Sequence, residues 1–216
     1  MQGGEDFSTL FMVYQISEGT AFLSHQEVMR VLIRACIRAK LPLRFSQGFN
    51  PHPRFSLPLP KNVGVDSLCE LCAAQLDRPN TQIDPEQLKA ELNKQLPQGI
   101  FVSAAQVFSG KKGCQVGDVT YLIRCTREEA EAIKSDITEK IESRDFQFTR
   151  KKHKTGKIKV LPLAQLIEKL ELEDNGLKLK VNFSSSGTLK AGEILRLAGF
   201  EETDLSRILR TNIGWA

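Results

Sequence analysis

The chain has 216 residues, of which 41% are hydrophobic and 26% are charged, and this ordinary balance excludes wholesale disorder. No apolar stretch approaches the roughly 18 residues that span a bilayer, and the N-terminus lacks the basic region of a secretory signal. Five cysteines spread along the chain do not form a secreted disulfide framework. We therefore expect a cytoplasmic protein with no membrane association.

The first half of the sequence predicts the order β-α-β-β-α-β. Ser24 and Glu27 have the spacing of a capping box, which predicts a helix that ends before Pro42. Asp84 predicts the start of a second helix. Strands are predicted at 10–16, 68–76 and 100–108, with a short one in the proline-rich stretch at 43–45 or 54–57. This is the element order of a ferredoxin-like, split βαβ, fold.

The second half predicts a similar order. Strands are predicted at 119–125, 146–150, 157–161, 166–172, 177–183 and 205–213, and helices at 127–142 and 191–197. Asn175 and Gly176 are a strong hairpin signal. We therefore predict an α+β fold with two ferredoxin-like subdomains in tandem, antiparallel sheets and helices on one face. The predicted domains are 1–108 and 118–216, joined by a glycine- and lysine-containing linker at 109–117.

Positive charge is concentrated in one block. Residues 28–65 contain no acid and carry a charge of +7, whereas the whole chain carries only +4. Within the block, Arg30, Arg34 and Arg38 recur every four residues and so form one stripe on the first predicted helix. Such a block favours a polyanionic partner such as nucleic acid. The alternative is a solvated basic face balanced by acids from elsewhere in the fold.

The sharpest local feature is SQGFNPHPRFS, residues 46–56. Its prolines stiffen the backbone, so side chains on it lose little entropy on binding. Asn50, His52 and Arg54 present hydrogen-bonding groups, and arginine binds phosphate through two bonds. Phe49 and Phe55 offer flat faces that could stack on a base. The alternative is a rigid connection whose aromatic rings fill the core.

A second basic segment, RKKHKTGKIK, covers residues 150–159. Lys151, Lys152 and Lys154 lie in it around a turn centred on Gly156, and such a hairpin could hold a nucleic-acid backbone. A turn that is merely charged and solvated is the alternative.

Few residues suggest catalysis or cofactor binding. Cys69 and Cys72 have Cys-x-x-Cys spacing, but positions three apart on a strand point to opposite faces, so we expect buried thiols and no metal site. No phosphate-binding loop or hydrolase motif is present, and we expect no cofactor. His25 begins the first helix, whose dipole favours the neutral ring, so it could act as a general base. Local packing at the helix start is the alternative.

Two long runs resemble a known family. FLSHQEVMR at 22–30 and LPLRFSQGFNPHPRFSLPLPKNVGV at 41–65 are similar to the motifs of the radical SAM-linked protein family of bacteria, with a departure at Asn62 and Val63. Weaker similarity extends to Arg210 and Thr211. The resemblance implies a radical SAM partner and a context of RNA or ribosome maturation. The residues that match its motifs, on which we expect the function to depend, are Ser24, His25, Glu27, Arg30, Gln47, Gly48, Asn50, Pro51, Pro53 and Arg54. Among them, we expect Gln47 to join Asn50 and Arg54 in binding the substrate.

Three hypotheses follow for function. The first is an accessory protein without its own activity, which binds RNA or presents a substrate to a radical SAM partner. The second is a protein-docking module for that enzyme, without nucleic-acid binding. The third is a metal-independent RNA endonuclease that uses His25, by analogy with tandem ferredoxin-like nucleases.

Overall fold

The computed structural model of the chain describes residues 7–78, 83–143, 146–151, 156–183 and 187–215. Its first three long strands pair into an antiparallel sheet. The strands are β1 (Ser8–Ile16), β2 (Phe55–Ser56), β3 (Asp66–Leu76) and β4 (Ile100–Ser109). Strand β1 lies between β4 and β3, and the short strand β2 pairs with β3. The predicted short strand therefore forms at the second of its two candidate positions.

Helix α1 (His25–Arg38) begins at the predicted capping box. The Ser24 N–H donates to Glu27 Oε2 at 2.8 Å, and the Glu27 N–H donates to Ser24 Oγ at 3.3 Å. These two bonds satisfy backbone donors that the first turn leaves free. The helix buries one face, formed by Val28, Leu32, Ala35 and Cys36.

The core of this part of the chain lies on one face of the sheet. Side chains alternate along a strand, and the β1 residues on the core face are Leu10, Met12, Tyr14 and Ile16. Helix α1 and helix α2 (Pro85–Asn93) pack there. The other face of the sheet, which we call the open face, carries the intervening side chains, including Phe11 opposite Ala73 of β3 and Gln106 of β4.

The strands of the second half are β5 (Val116–Arg124), β6 (Phe148–Lys151), β7 (Ile158–Leu161), β8 (Ile167–Glu173), β9 (Gly176–Asn182) and β10 (Ile208–Trp215). Four of them lie side by side in the order β10-β5-β9-β8, and β6 and β7 form a separate hairpin. Its helices are α3 (Arg127–Glu142), α4 (Leu163–Leu166) and α5 (Ala191–Leu197). Helix α3 packs on β8 and β9. The predicted hairpin turn at 173–176 forms, with Asp174 and Asn175 as its two loop residues. Gly176 begins β9 with a φ of +148°, and a Cβ there would lie 1.9 Å from the Ile123 carbonyl oxygen.

The last strand differs from its prediction. Residues 205–213 were expected to be extended, but Leu205–Arg207 forms a 3₁₀ turn and the strand runs from Ile208 to Trp215. The Arg207 Nε donates to Asp204 Oδ2 at 2.7 Å, and the Arg207 N–H donates to the Asp204 carbonyl. This local hydrogen bonding competes with strand pairing. Sequence periodicity missed the one-turn helix α4 as well.

The chain divides into two units between Val116 and Gly117, with Trp215 counted in the first unit. The predicted linker contains the end of β4 and the start of β5, and residues 110–115 between them lie outside any helix or strand. The structure is thus a mixed α+β fold with antiparallel strand pairs, as predicted. The assignment of both halves to ferredoxin-like subdomains stays a prediction. None of the helices in the described ranges has the length and apolar character needed to cross a bilayer.

Candidate nucleic-acid interface

The proline-rich loop, residues 46–53, is held at its base by backbone hydrogen bonds. The Ser46 N–H donates to the His52 carbonyl at 2.8 Å, and the His52 N–H donates to Ser46 Oγ at 2.9 Å. The Arg54 N–H donates to the Arg44 carbonyl at 2.7 Å, so the segments that enter and leave the loop pair like the arms of a short hairpin. Gly48 has a φ of +130°, a conformation that residues with a side chain rarely adopt.

The tip of this loop presents its side chains to solvent. The exposed residues include four that the sequence predicted as binding residues: Gln47, Phe49, Asn50 and His52. The Phe49 ring is fully exposed, whereas Phe55 is half-buried and packs against the core. Each of the two alternatives for the aromatic rings therefore applies to one residue. Phe49 is available for stacking, and Phe55 helps fill the core.

Arg54 lines a depression of about 230 Å³ together with Lys111 and Lys112. We call this depression the cationic cleft. It lies on the open face, because its other lining residues include Thr9, Ser56, Ala73 and Gln75. None of the described residues that line it is acidic. Three cations around one concave surface create a positive potential that attracts anions.

Lys111 and Lys112 were missed as site residues, because the sequence analysis placed them in a linker. A hydrogen bond from the Lys112 N–H to Thr9 Oγ1 at 3.1 Å, and one from Thr9 Oγ1 to the Gly110 carbonyl at 2.6 Å, fix this segment beside β1. The only signal in the sequence was the pair of adjacent lysines between two glycines.

The arginine stripe of α1 lies apart from the cleft. Arg30 and Arg34 are exposed on the helix, which packs on the core face of the sheet, whereas Arg54 lines a depression on the open face. Hydrogen bonds with Ser24, and the nearby charge of Arg30, hold the pKa of the Glu27 carboxyl below its usual value. Arg38 donates to the Gln95 carbonyl. The structure therefore does not join the stripe and Arg54 into one surface.

His25 is tied to the segment that follows the loop. Its Nδ1 accepts a hydrogen bond from the Lys61 N–H at 3.5 Å, so the neutral ring carries its proton on Nε2. The Lys61 side chain is buried, and its Nζ donates to the carbonyls of Ala21 and Asn62. These bonds fix the chain at the helix start, and the occupied Nδ1 does not favour general-base catalysis.

The basic hairpin of the second unit is anchored at its base. Lys151 is exposed at the end of β6, whereas Lys152 and Lys154 lie outside the described residues. Arg150 pairs with the buried Glu193 of α5. Arg196 donates to the Thr149 carbonyl at 2.7 Å. Arg150 of the basic segment therefore stabilises the fold of this unit.

The two cysteines of the Cys-x-x-Cys pair are both buried in β3, as expected for thiols in a core. Burial and the neighbouring Cys36 thiol raise the pKa of Cys72 well above its usual value, and burial raises the pKa of Cys36 to about 12. Within the described ranges, no three histidine, cysteine or acidic side chains come together in a way that could hold a metal ion.

A family model matches most of the chain. The model of a bacterial family, DUF2344, described as an uncharacterized protein conserved in bacteria, matches residues 10–195. The match begins in β1 and covers α1, the proline-rich loop and most of the second unit. No curated protein matches the chain.

Proposed function

The chain belongs to the bacterial family DUF2344, and we propose that this member is an accessory RNA-binding protein whose first unit holds single-stranded RNA. One observation carries the proposal. Arg54 lies at the hydrogen-bonded base of the proline-rich loop, whose tip carries the fully exposed Phe49 ring. It also lines the cationic cleft, whose described lining contains three cations and no acid. Cations that follow a backbone, beside aromatic rings that stack on bases, are the usual means of binding single strands.

The chemistry of each group fits this role. Arg54 supplies a planar guanidinium that can donate two hydrogen bonds to one phosphate, and Lys112 supplies a point charge. Phe49 makes no contribution to the core, so burying its ring against a base would recover apolar surface that the protein alone leaves in water. The loop is already fixed at its base, and this reduces the entropy lost on binding.

The proposed partner is a radical SAM enzyme. This part of the proposal depends on the resemblance of residues 22–30 and 41–65 to the radical SAM-linked family. In this role the protein would present RNA to the enzyme, in RNA or ribosome maturation. Docking to that enzyme without RNA is the second candidate, and the exposed rings of Phe22 and Phe49 favour it, since such rings are common at protein interfaces.

We also propose that each unit is a variant of the split βαβ fold. In the first unit the strand order β4-β1-β3, with β2 on β3, follows the arrangement in which the first and third strands are central. In the second unit, the order β10-β5-β9-β8 has the same form if the β6–β7 hairpin is an insertion.

A salt series tests the RNA-binding role. Binding of a labelled single-stranded RNA is measured over a range of salt concentrations for wild type, Arg54→Ala and Arg127→Ala. Each phosphate contact contributes about −0.7 to the slope of log affinity against log salt on single strands, so Arg54→Ala should make the slope shallower by about that amount. Arg127 is exposed on α3, pairs with Glu131 and is the matched control for charge.

Two outcomes would contradict the role. Equal slopes for wild type and Arg54→Ala would exclude the cleft as a phosphate site. Absence of binding at low salt, with the radical SAM enzyme still captured by the wild-type protein and not by Phe49→Ala, would favour the docking hypothesis.

A further inference from the structure

A second depression on the open face of the first unit is lined by apolar side chains. It has a volume of about 410 Å³, which is within the range of small-molecule sites, about 300–1,000 Å³. We call it the apolar groove. Its apolar lining includes Phe11, Val13, Leu71, Ala104, Phe108 and Trp215.

Aromatic rings give this groove flat walls. The rings of Phe11 and Phe108 meet edge to face, with centroids 5.6 Å apart and an interplanar angle of 76°. Trp215 is the single tryptophan of the chain and remains 45% exposed. Flat groups bind such surfaces by stacking, as bases do on the aromatic side chains of proteins that bind single strands.

Lys112 connects the apolar groove with the cationic cleft. It lines both depressions, and its Nζ lies 5.9 Å from the centroid of the Phe108 ring. A ligand that fills the groove therefore places any attached anion near Lys112, and from there near Arg54. This complementarity selects a flat apolar group that carries a negative charge next to it.

We propose that the apolar groove binds a nucleobase whose phosphate lies in the cationic cleft. The inference rests on the proposed RNA-binding function and extends it, because it specifies where a base is held. The ligand is a nucleotide, which could be free in solution or part of an RNA strand. Gln106 in the groove offers an amide that can hydrogen-bond to a base edge.

Trp215 provides a direct readout of groove occupancy. Its fluorescence is followed while AMP, adenosine or a single-stranded RNA is added, and RNA binding is measured in parallel by the anisotropy of a labelled strand. We expect AMP and RNA to change the fluorescence saturably. Adenosine, which lacks the phosphate, should require a concentration several-fold higher than AMP. A fluorescence response to RNA but not to AMP would show that the groove binds a nucleotide within an RNA strand and not a free one.

Variants separate stacking from folding. Phe108→Leu keeps apolar volume and removes the aromatic face, so it should weaken nucleotide and RNA binding about fivefold or more. Phe101→Leu is the matched control, because Phe101 is on the same strand, is exposed and does not line the groove. Lys112→Gln should weaken AMP binding and leave adenosine binding unchanged.

The outcomes distinguish this inference from the proposed function. RNA binding with no fluorescence response and no effect of Phe108→Leu would overturn the inference and leave the function intact. A saturable response to AMP without RNA binding would support the inference and overturn the function. A response to a fatty-acid anion but not to AMP or RNA would also overturn the inference, since it would show that the groove takes aliphatic chains.

Discussion

Arg150 and Glu193 form a bidentate ion pair in the second unit. The Arg150 Nε donates to Glu193 Oε1 and Nη2 donates to Oε2, each at 2.5 Å. Nη2 also donates to the Thr188 carbonyl at 2.7 Å. Glu193 is buried and accepts the Lys190 N–H at 2.9 Å as the third residue of α5. The pair therefore connects the base of the β6–β7 hairpin to that helix.

This pair makes the second unit sensitive to acid. Burial alone would raise the pKa of the Glu193 carboxyl, but the hydrogen bonds from Arg150 and from the Lys190 N–H outweigh it and lower the pKa. The stability from this group is therefore complete above the usual glutamate pKa near 4.5 and is lost as pH falls through the lower, folded value. Urea unfolding as a function of pH measures this loss.

Glu193→Gln should remove that pH dependence and lower the free energy of unfolding at neutral pH by about 2 kcal/mol, because it leaves a partly buried guanidinium without its counter-charge. Glu139→Gln, on the exposed face of α3, is the control and should change little. An acid transition identical in wild type and Glu193→Gln would show that other carboxylates determine it.

Truncation of Phe49 should mainly weaken RNA binding, whereas truncation of Phe55 should mainly lower the stability of the fold. Phe49→Ala should change the free energy of unfolding by less than about 0.5 kcal/mol, since the ring is fully exposed, and should weaken RNA binding by about 1–3 kcal/mol. Phe55→Ala should destabilise the fold by about 1–3 kcal/mol, since the ring packs on the core. Denaturant titration and RNA anisotropy test both expectations. Unchanged RNA affinity in Phe49→Ala would exclude stacking by the loop.

Gly48→Ala tests whether the shape of the loop matters for binding. The added Cβ would meet no atom within 4 Å, but a φ of +130° is strained for alanine, at a cost of about 1–3 kcal/mol. We expect weaker RNA binding and a lower melting temperature. Gly19→Ala is the matched control, because Gly19 also has open space around it and an ordinary φ. Equal behaviour of the two variants would mean that the loop conformation is not needed.

His25→Ala should leave RNA affinity within about twofold of wild type, and the purified protein should leave RNA intact. The reason is that Nδ1 is already occupied by the Lys61 N–H, so the side chain supports local structure. Gel analysis of RNA after long incubation without metal provides the measurement. Cleavage by wild type that disappears in His25→Ala would instead establish the endonuclease hypothesis.

Cys36 and Cys72 should resist alkylation in the native protein at pH 8. Burial raises the pKa of Cys36 to about 12 and that of Cys72 well above its usual value, so the reactive thiolate is scarce at both sites. Mass spectrometry after labelling with and without denaturant tests this. Rapid native labelling of either residue would show that the core of the first unit opens readily.

The sequence by itself determined most of the local structure. The capping pair of Ser24 and Glu27, the Asp84 N-cap and the hairpin turn at 173–176 each depend on hydrogen bonds between residues close in the chain, so their outcome depends little on the rest of the fold. For the same reason the predicted bounds of α3 and α5 agree with the structure.

Only the tertiary structure decided which groups share a surface. Arg54 lies beside Lys111 and Lys112, and away from Arg30, because strand pairing determines which face of the sheet each side chain takes. The use of Arg150 in an ion pair depends on a residue 43 positions away. Contacts of this kind come from the packing of elements that are distant in sequence, and local patterns carry no information about them.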